Sequence, residues 1–167
     1  MGKNVNFCQL LLGFSKAMSF SEIIYVGEFR RNLDGKNRVT VPAKWRFQGD
    51  ESEVYIALPC PDGSVLVRPP KEMETFLEKV SAVGSGNVQH TKMLNQIFSM
   101  AHSFGCDKQG RIGLNQRLMD QAGIKREVVL LGAMKTFKIW DAQRYDRLIN
   151  ETFTNQSYAN SLAEMGL

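Results

Sequence analysis

Short apolar runs separated by turn residues, with helical spacing in a few longer stretches, set the rhythm of this chain. Phe29 to Leu33 and Arg38 to Val41 are β-type runs on either side of a Gly- and Asn-containing turn, and they predict a hairpin-like start. Pro42, at a first-turn position, predicts a short helix over Pro42 to Arg46. Val54 to Leu58 and Val65 to Val67 read as two further strands, joined through a loop whose Pro61-Asp62-Gly63 suits a tight turn. Met73, Phe76, Leu77 and Val80 then fall on one side of a helix expected over Lys71 to Val80.

The same order returns further along. His102 to Cys106 is a weaker strand, and Asn115 is placed to cap a helix through Leu118, Met119 and Ala122 that Gly123 stops. Val128 to Leu131 and Thr136 to Trp140 are strands, and Ala142 to Glu151 is a helix with Tyr145, Leu148 and Ile149 on one face and Asp141 as its cap. Gly84-Ser85-Gly86 breaks the chain between the halves. Val88 to Ala101 follows as a connector helix carrying Leu94, Ile97, Phe98 and Ala101 on one side.

This recurrence is a duplication in the residues themselves. Leu33-Asp34-Gly35-Lys36-Asn37-Arg38-Val39-Thr40-Val41 returns 73 positions later as Cys106-Asp107-Lys108-Gln109-Gly110-Arg111-Ile112-Gly113-Leu114. Both copies read Asp-x-x-x-Arg, then apolar, small or polar, apolar. The parallel extends from Glu53-Val54-Tyr55-Ile56 to Glu127-Val128-Val129-Leu130, and from Val65-Leu66-Val67 to Phe137-Lys138-Ile139. A unit of about fifty residues with short strands buries too little surface to stand alone, so the two are expected to pair into one barrel-like core, with Trp45 and Trp140 filling one half each.

Composition narrows the class. With 167 residues, 43% hydrophobic and 23% charged, the chain holds one globular core or two coupled modules, which excludes collagen-like, coiled-coil and disordered classes. The net charge of +4 is mild, but its placement is not. Arg30, Arg31, Lys36, Arg38, Lys44 and Arg46 stand against only Glu28 and Asp34 between Gly27 and Arg46, so this stretch carries the whole excess. Lys108, Arg111, Arg117, Lys125 and Arg126 make a second basic region around the other copy.

Other chemistry is sparse. Cys8, Cys60 and Cys106 are isolated and read as reduced thiols of a cytosolic protein, and His90 and His102 lack metal-ligand spacing, so neither metal nor cofactor is expected. No phosphate-binding Gly loop or Gly-x-Ser-x-Gly elbow is present, and the chain is not read as an enzyme. No apolar run reaches the ~18 to 20 residues of a membrane span. Phe7 to Phe14 makes a poor signal peptide because Gln9 interrupts it and Lys16-Ala17-Met18 lacks small cleavage-site residues. Residues 1–23 are expected to be an extension, either plain or ahead of a start at Met18.

Two readings of the paired motif stand. As a turn clamp, Asp34 and Asp107 accept turn amide hydrogens and are neutralised by Arg38 and Arg111, while Asn37 and Gly110 supply the left-handed step. As a nucleic-acid surface, Arg30, Arg31, Lys36 and Arg38 around the first loop and Lys108, Arg111 and Arg117 around the second neutralise phosphates and present Arg to guanine O6 and N7, on a two-stranded element that fits a major groove.

At this point the residues resemble a known family. Gly-Glu-Phe followed by Asn-Leu-Asp-x-Lys-x-Arg-Val-x-Val-Pro-Ala-Lys-x-Arg, at Gly27 to Arg46, is similar to the first half of the bacterial MraZ transcriptional regulators. Asp107-Lys108-Gln109-Gly110-Arg111, Ala122 to Gly132 and Phe137-Lys138-Ile139-Trp140-Asp141 match the second half, so the resemblance covers about Ile24 to Glu151. It implies an α+β, β-rich swapped-hairpin barrel of the SpoVT-AbrB type, built from two tandem repeats with short helices. The expected divisions are an extension at 1–23, a first repeat at 24–80, a linker and connector helix at 81–101, a second repeat at 102–151 and a tail at 152–167.

The resemblance further implies a ring-shaped homo-oligomer, cytoplasmic and nucleoid-associated. Such a ring binds G-rich direct repeats in double-stranded DNA and usually represses the division and cell-wall gene cluster together with its own gene. Lys36, Arg38 and Arg111 carry over from the family pattern as DNA-facing residues; Arg30, Arg31 and Lys108 are neighbours that the pattern does not select. Asn37 stands where the family usually has Gly, and Asn115 replaces the proline found at Pro42. The runner-up is an AbrB-like protein-interaction module or antitoxin-type adaptor, supported by Met93, Leu94, Ile97 and Phe98 on the connector helix; core or subunit packing is the plainer account of that stripe.

Overall fold

The computed structural model describes residues 24–46, 54–84, 87–152 and 155–166, and among these are eight strands and five α-helices. In chain order they are β1 (Glu28–Asn32), β2 (Arg38–Thr40), β3 (Tyr55–Pro59), β4 (Val65–Arg68), α1 (Met73–Gly84), α2 (Val88–Met100), β5 (His102–Phe104), β6 (Arg111–Gly113), α3 (Gln116–Ala122), β7 (Glu127–Ala133), β8 (Thr136–Asp141), α4 (Ala142–Thr152) and α5 (Asn155–Met165). The N-terminal extension and Glu53 lie outside the described residues.

Local chemistry accounts for the boundaries. Pro42 precedes a single 3₁₀ turn, Ala43–Trp45, rather than a longer helix. Asn115 caps α3 by accepting the Leu118 amide at 2.8 Å, and Gly123, in the left-handed conformation at φ 64°, ends it. Asp141 accepts the Arg144 amide at 3.1 Å at the start of α4. Asn87 caps α2 through the Gln89 and His90 amides.

Four of the six described ladders join the two halves. All described ladders are antiparallel, and the larger sheet runs β1-β7-β8-β4-β3-β5. β1 of the first half pairs with β7 of the second, while β5 of the second half pairs with β3 of the first. β4 pairs with its counterpart β8, and β2 with its counterpart β6, so each half completes the other's sheet.

Two expectations are corrected. β1 and β2 do not pair as a hairpin, because β1 finds a five-residue ladder along β7 whereas β2 offers only three residues, all paired with β6. Nor do the described strands close into a barrel. The β2–β6 ribbon is a separate two-stranded sheet, and β1 and β5 remain the outer strands of the six-stranded one. The fold is a mixed α+β structure built mainly on antiparallel sheet.

The core lies between ribbon and sheet. Trp45, fully buried, packs its ring against Tyr25, Phe29 and Phe137 at centroid distances of 5.6, 5.0 and 5.3 Å. Val39 and Ile112, the central residues of the ribbon, are also fully buried, which fixes the opposite ribbon face outward. Leu118 buries fully in α3, 73 positions after Trp45. Trp140 is buried too, but in a smaller cluster with Val129, Ala142 and Tyr145 beside α4, so the two tryptophans do not share one core. The α2 stripe stays outside the core: Leu94 and Ile97 are half-buried, and Met93 and Phe98 are exposed.

Candidate nucleic-acid interface

The outward face of the β2–β6 ribbon carries Arg38, Thr40, Arg111 and Gly113, because Val39 and Ile112 take the core-facing positions of these three-residue strands. Arg38 lies opposite Gly113 and Arg111 opposite Thr40, so the two arginines sit on a diagonal of the ribbon. Each strand is entered through its own Asp-x-x-x-Arg turn.

The turns have matching geometry. Asp34 Oδ1 accepts the Lys36 and Arg38 amides at 2.8 and 3.0 Å, and its Oδ2 accepts both Nε and Nη2 of Arg38 at 2.8 Å. Asp107 Oδ1 accepts the Gln109 and Arg111 amides at 2.9 Å each, and its Oδ2 accepts Nε and Nη2 of Arg111 at 2.8 Å. The left-handed step falls on Asn37 at φ 56° and on Gly110 at φ 74°. Asn and Gly are the residues that take this conformation most readily, so the unlike residues serve one backbone shape.

The loops are also bonded to each other. Leu114 donates its amide to the Asn37 carbonyl at 3.0 Å, and Val41 donates to the Gly110 carbonyl at 2.9 Å. Arg38 Nη1 lies 3.7 Å from Asp107 Oδ2, and Arg111 Nη1 lies 3.6 Å from Asp34 Oδ2. Two carboxylates and two guanidiniums therefore form one compact quartet. Both carboxyl groups are held below their ordinary value of 3.8. The largest cause is the amide of Arg38 for Asp34 and of Arg111 for Asp107; the turn's other amide and the guanidinium lower them further, against a contrary push from desolvation. At neutral pH the quartet is fully ionised and carries no net charge.

Its donor inventory decides what it can still bind. A guanidinium has five N–H donors in a rigid fork. In each arginine Nε and one edge of Nη2 are directed at the clamping carboxylate, and Nη1 is beyond hydrogen-bond distance of the opposite one. The clamp thus orients the fork, and its Nη1 and outer Nη2 hydrogens remain for another acceptor. The side chains are about one-third and one-quarter exposed, which leaves that edge reachable.

The remaining cations divide into two groups. Lys36 and Lys108 occupy the exposed turns of the two loops, with no side-chain ion pair among the described residues. Arg30 and Arg31, on β1, are engaged elsewhere. Arg30 forms a two-pronged pair with Asp146 of α4 and lies 3.4 Å from Glu28, which in turn accepts the Tyr145 hydroxyl at 3.0 Å. Arg31 donates to the Arg30 carbonyl at 2.8 Å and sits over the Phe29 ring, whose centroid is also 4.8 Å from Lys44 Nζ. The structure thus brings Asp34, Lys36, Asn37, Arg38, Asp107, Lys108, Gly110 and Arg111 together, and joins Arg30 to α4 instead.

Three neighbouring cations were read as part of the basic stretches but not as site residues. Arg46 packs directly over Gly110, where an added Cβ would fall 1.8 Å from Nη1. Lys125 and Arg126, between α3 and β7, line a groove beside the first loop together with Leu33, Asp34, Gly35 and Asn37. Their excess of charge was legible; their place beside the other half's loop depends on β1–β7 pairing, which no local pattern announces.

Comparison with known proteins finds relatives that share one name. A family model described as "MraZ protein, putative antitoxin-like" matches residues 97–165. A protein named "Transcriptional regulator MraZ" from Pediococcus pentosaceus is 32% identical over 145 residues, covering 86% of this chain and all of that protein. Proteins of the same name from Clostridium tetani and Natranaerobius thermophilus are 26% and 33% identical, covering 86% and 74% of this chain and 100% and 85% of their own lengths.

Proposed function

The chain belongs to the MraZ family, and from that premise we propose that it is a cytoplasmic, DNA-binding transcriptional regulator that reads base sequence through the outward face of its β2–β6 ribbon. The observation that carries this reading is the quartet. Arg38 and Arg111 are held by Asp34 and Asp107 with their outer N–H groups unspent, on a two-stranded ribbon of the width a major groove admits. In this reading the carboxylates are positioning groups, the two arginines donate to guanine O6 and N7, and Lys36 and Lys108 neutralise flanking phosphates. Asn37 and Gly110 shape the turns. Arg30 and Arg31 stand further from the role: their present partners are Asp146, Glu28 and the β1 backbone, so a phosphate contact would require them to turn. The turn clamp and the DNA surface are then one device.

The finer proposal follows the family pattern. The two halves are SpoVT-AbrB type repeats, the crossed pairing of β1 with β7 and β5 with β3 is their hairpin exchange, and the chain assembles as a ring-shaped homo-oligomer. Exposed Leu77, Val88, Met93 and Phe98 on α1 and α2 supply apolar surface for subunit contacts. A ring engages closely spaced repeats at once, and avidity adds roughly 10²- to 10⁴-fold to modest single sites. The targets are G-rich direct repeats ahead of the division and cell-wall cluster, with repression of that cluster and of this protein's own gene, in the nucleoid.

Fluorescence titration with a duplex carrying such repeats and with a scrambled duplex tests the reading. Tighter binding to the repeats is expected, and equal affinity overturns sequence-specific recognition. The antitoxin-like description of the matched family model and the exposed α2 residues favour one alternative, an adaptor that binds a second polypeptide. Stoichiometric copurification of a different protein without DNA supports that alternative.

A further inference from the structure

The groove beside the first loop was left unused by the ribbon. It has a volume of about 330 Å³ and is lined by Leu33, Asp34, Gly35 and Asn37 of the first half and by Lys125 and Arg126 of the second. The Leu33 amide donates to the Arg126 carbonyl at 2.8 Å, and the Lys125 amide approaches Asp141 Oδ2 at 3.4 Å, so the backbone of this turn is fixed against both the loop and α4. Both side chains are exposed and have no ion pair among the described residues. Asp34, the acid of the lining, is already neutralised by Arg38 and Arg111. Glu127, the next residue, faces Asn32 across β1 and acts electrostatically on Arg30.

From these contacts we propose that Lys125 and Arg126 seat a backbone phosphate of DNA in this groove, beside the duplex edge that the first loop engages. The inference rests on the DNA-binding reading above. A phosphate is the group that fits: the groove offers two uncommitted cations, no uncommitted acid and an open mouth next to a loop whose Lys36 is also exposed.

The seat makes the two loops unequal. In the register that aligns Glu53 with Glu127, the first-half counterparts of Lys125 and Arg126 are Glu51 and Ser52, which lie outside the described residues and include no cation. The second loop instead has Arg46 packed over Gly110. The proposed seat thereby adds a phosphate contact beside the first loop, whereas the described residues place Arg46 over the second.

Salt dependence of duplex binding separates this claim from the reading beneath it. The affinity of the full chain for the repeat duplex is measured from low to moderate salt for the parent, Lys125→Gln/Arg126→Gln, Lys36→Gln, and Lys79→Gln on α1 as a control. Arg126 holds the loop by its backbone carbonyl, so unchanged thermal melting is expected in the double variant. One lost phosphate contact lowers the slope of log affinity against log salt by about 0.9. The double variant is expected to show that decrease and weaker binding at low salt, with Lys79→Gln unchanged. A slope equal to the control in the double variant, while Lys36→Gln alters it, overturns the groove site and leaves the ribbon reading standing. Failure of the parent to bind any duplex overturns both.

Discussion

Gly110→Ala probes the loop architecture at its most constrained point. Gly110 has φ 74°, and an added Cβ would fall 1.8, 2.5 and 2.6 Å from Nη1, Cζ and Cδ of Arg46. The left-handed backbone alone costs a β-carbon-bearing residue about 1–2 kcal/mol. Arg46 can swing its guanidinium aside, so its displacement costs nearer the ~0.5–1.5 kcal/mol of a strained rotamer than that of a backbone clash. Together these give about 1.5–3.5 kcal/mol. With a urea dependence of about 2 kcal/mol per molar, the unfolding midpoint should fall by roughly 1 M at fixed protein concentration. Arg46→Ala in the same chain should recover only the part due to Arg46. Asn37→Ala, at φ 56°, should cost less than Gly110→Ala. A Gly110→Ala midpoint within error of the parent would refute both the left-handed requirement and the packing of Arg46 on the second loop, and a loss indifferent to Arg46 would refute the packing alone.

Further outcomes follow from the same contacts. Trp45→Ala removes a fully buried ring packed on Tyr25, Phe29 and Phe137 and should cost about 3–5 kcal/mol in urea unfolding, against little for the exposed Lys44→Ala. Asp34 and Asp107 titrate below 3.8 in the folded state, so the unfolded chain takes up their protons first; their stabilisation is present above pH ~4–5 and is lost as pH falls through the folded values. The stability gap between the parent and Asp107→Asn should therefore shrink from pH 6 to pH 3, and a constant gap would count against the clamp. Lys36→Gln should lower the salt slope of DNA binding by about 0.9, and an unaltered slope would remove Lys36 from the interface.

The individual elements were far more legible in the sequence than their partners. Period and punctuation located seven of the eight described strands and four of the helices to within a few residues, because Pro42, Asn115, Gly123 and Asp141 act locally; β6 was visible only as the duplicate of β2. α5 was read as a tail, although Tyr158, Leu162 and Met165 recur in it at helical spacing. Pairing was misread where it was non-local. The Asp-x-x-x-Arg turn suggested that β1 folds back on β2, yet β1 gains a longer ladder on β7, some hundred residues away. The site shows the same division. Asp34–Arg38 and Asp107–Arg111 were visible as spacing. Their joining into a quartet, Arg46 over Gly110, and Lys125 and Arg126 beside the first loop arise only when the second half completes the sheet of the first. Arg30 shows the converse: charge placed it near the loop, but Asp146 draws it to α4.

The central claim is that the clamped arginines read bases. Its most direct test is the ratio of affinities for repeat and scrambled duplexes, measured by fluorescence anisotropy at one salt concentration for the parent, Arg38→Ala and Arg111→Ala. A bidentate guanine contact is worth about 1–3 kcal/mol of discrimination, so each variant should lose roughly 5- to 150-fold in that ratio while its binding to the scrambled duplex changes much less. A ratio unchanged in both variants would contradict the account and leave the quartet as a structural clamp alone.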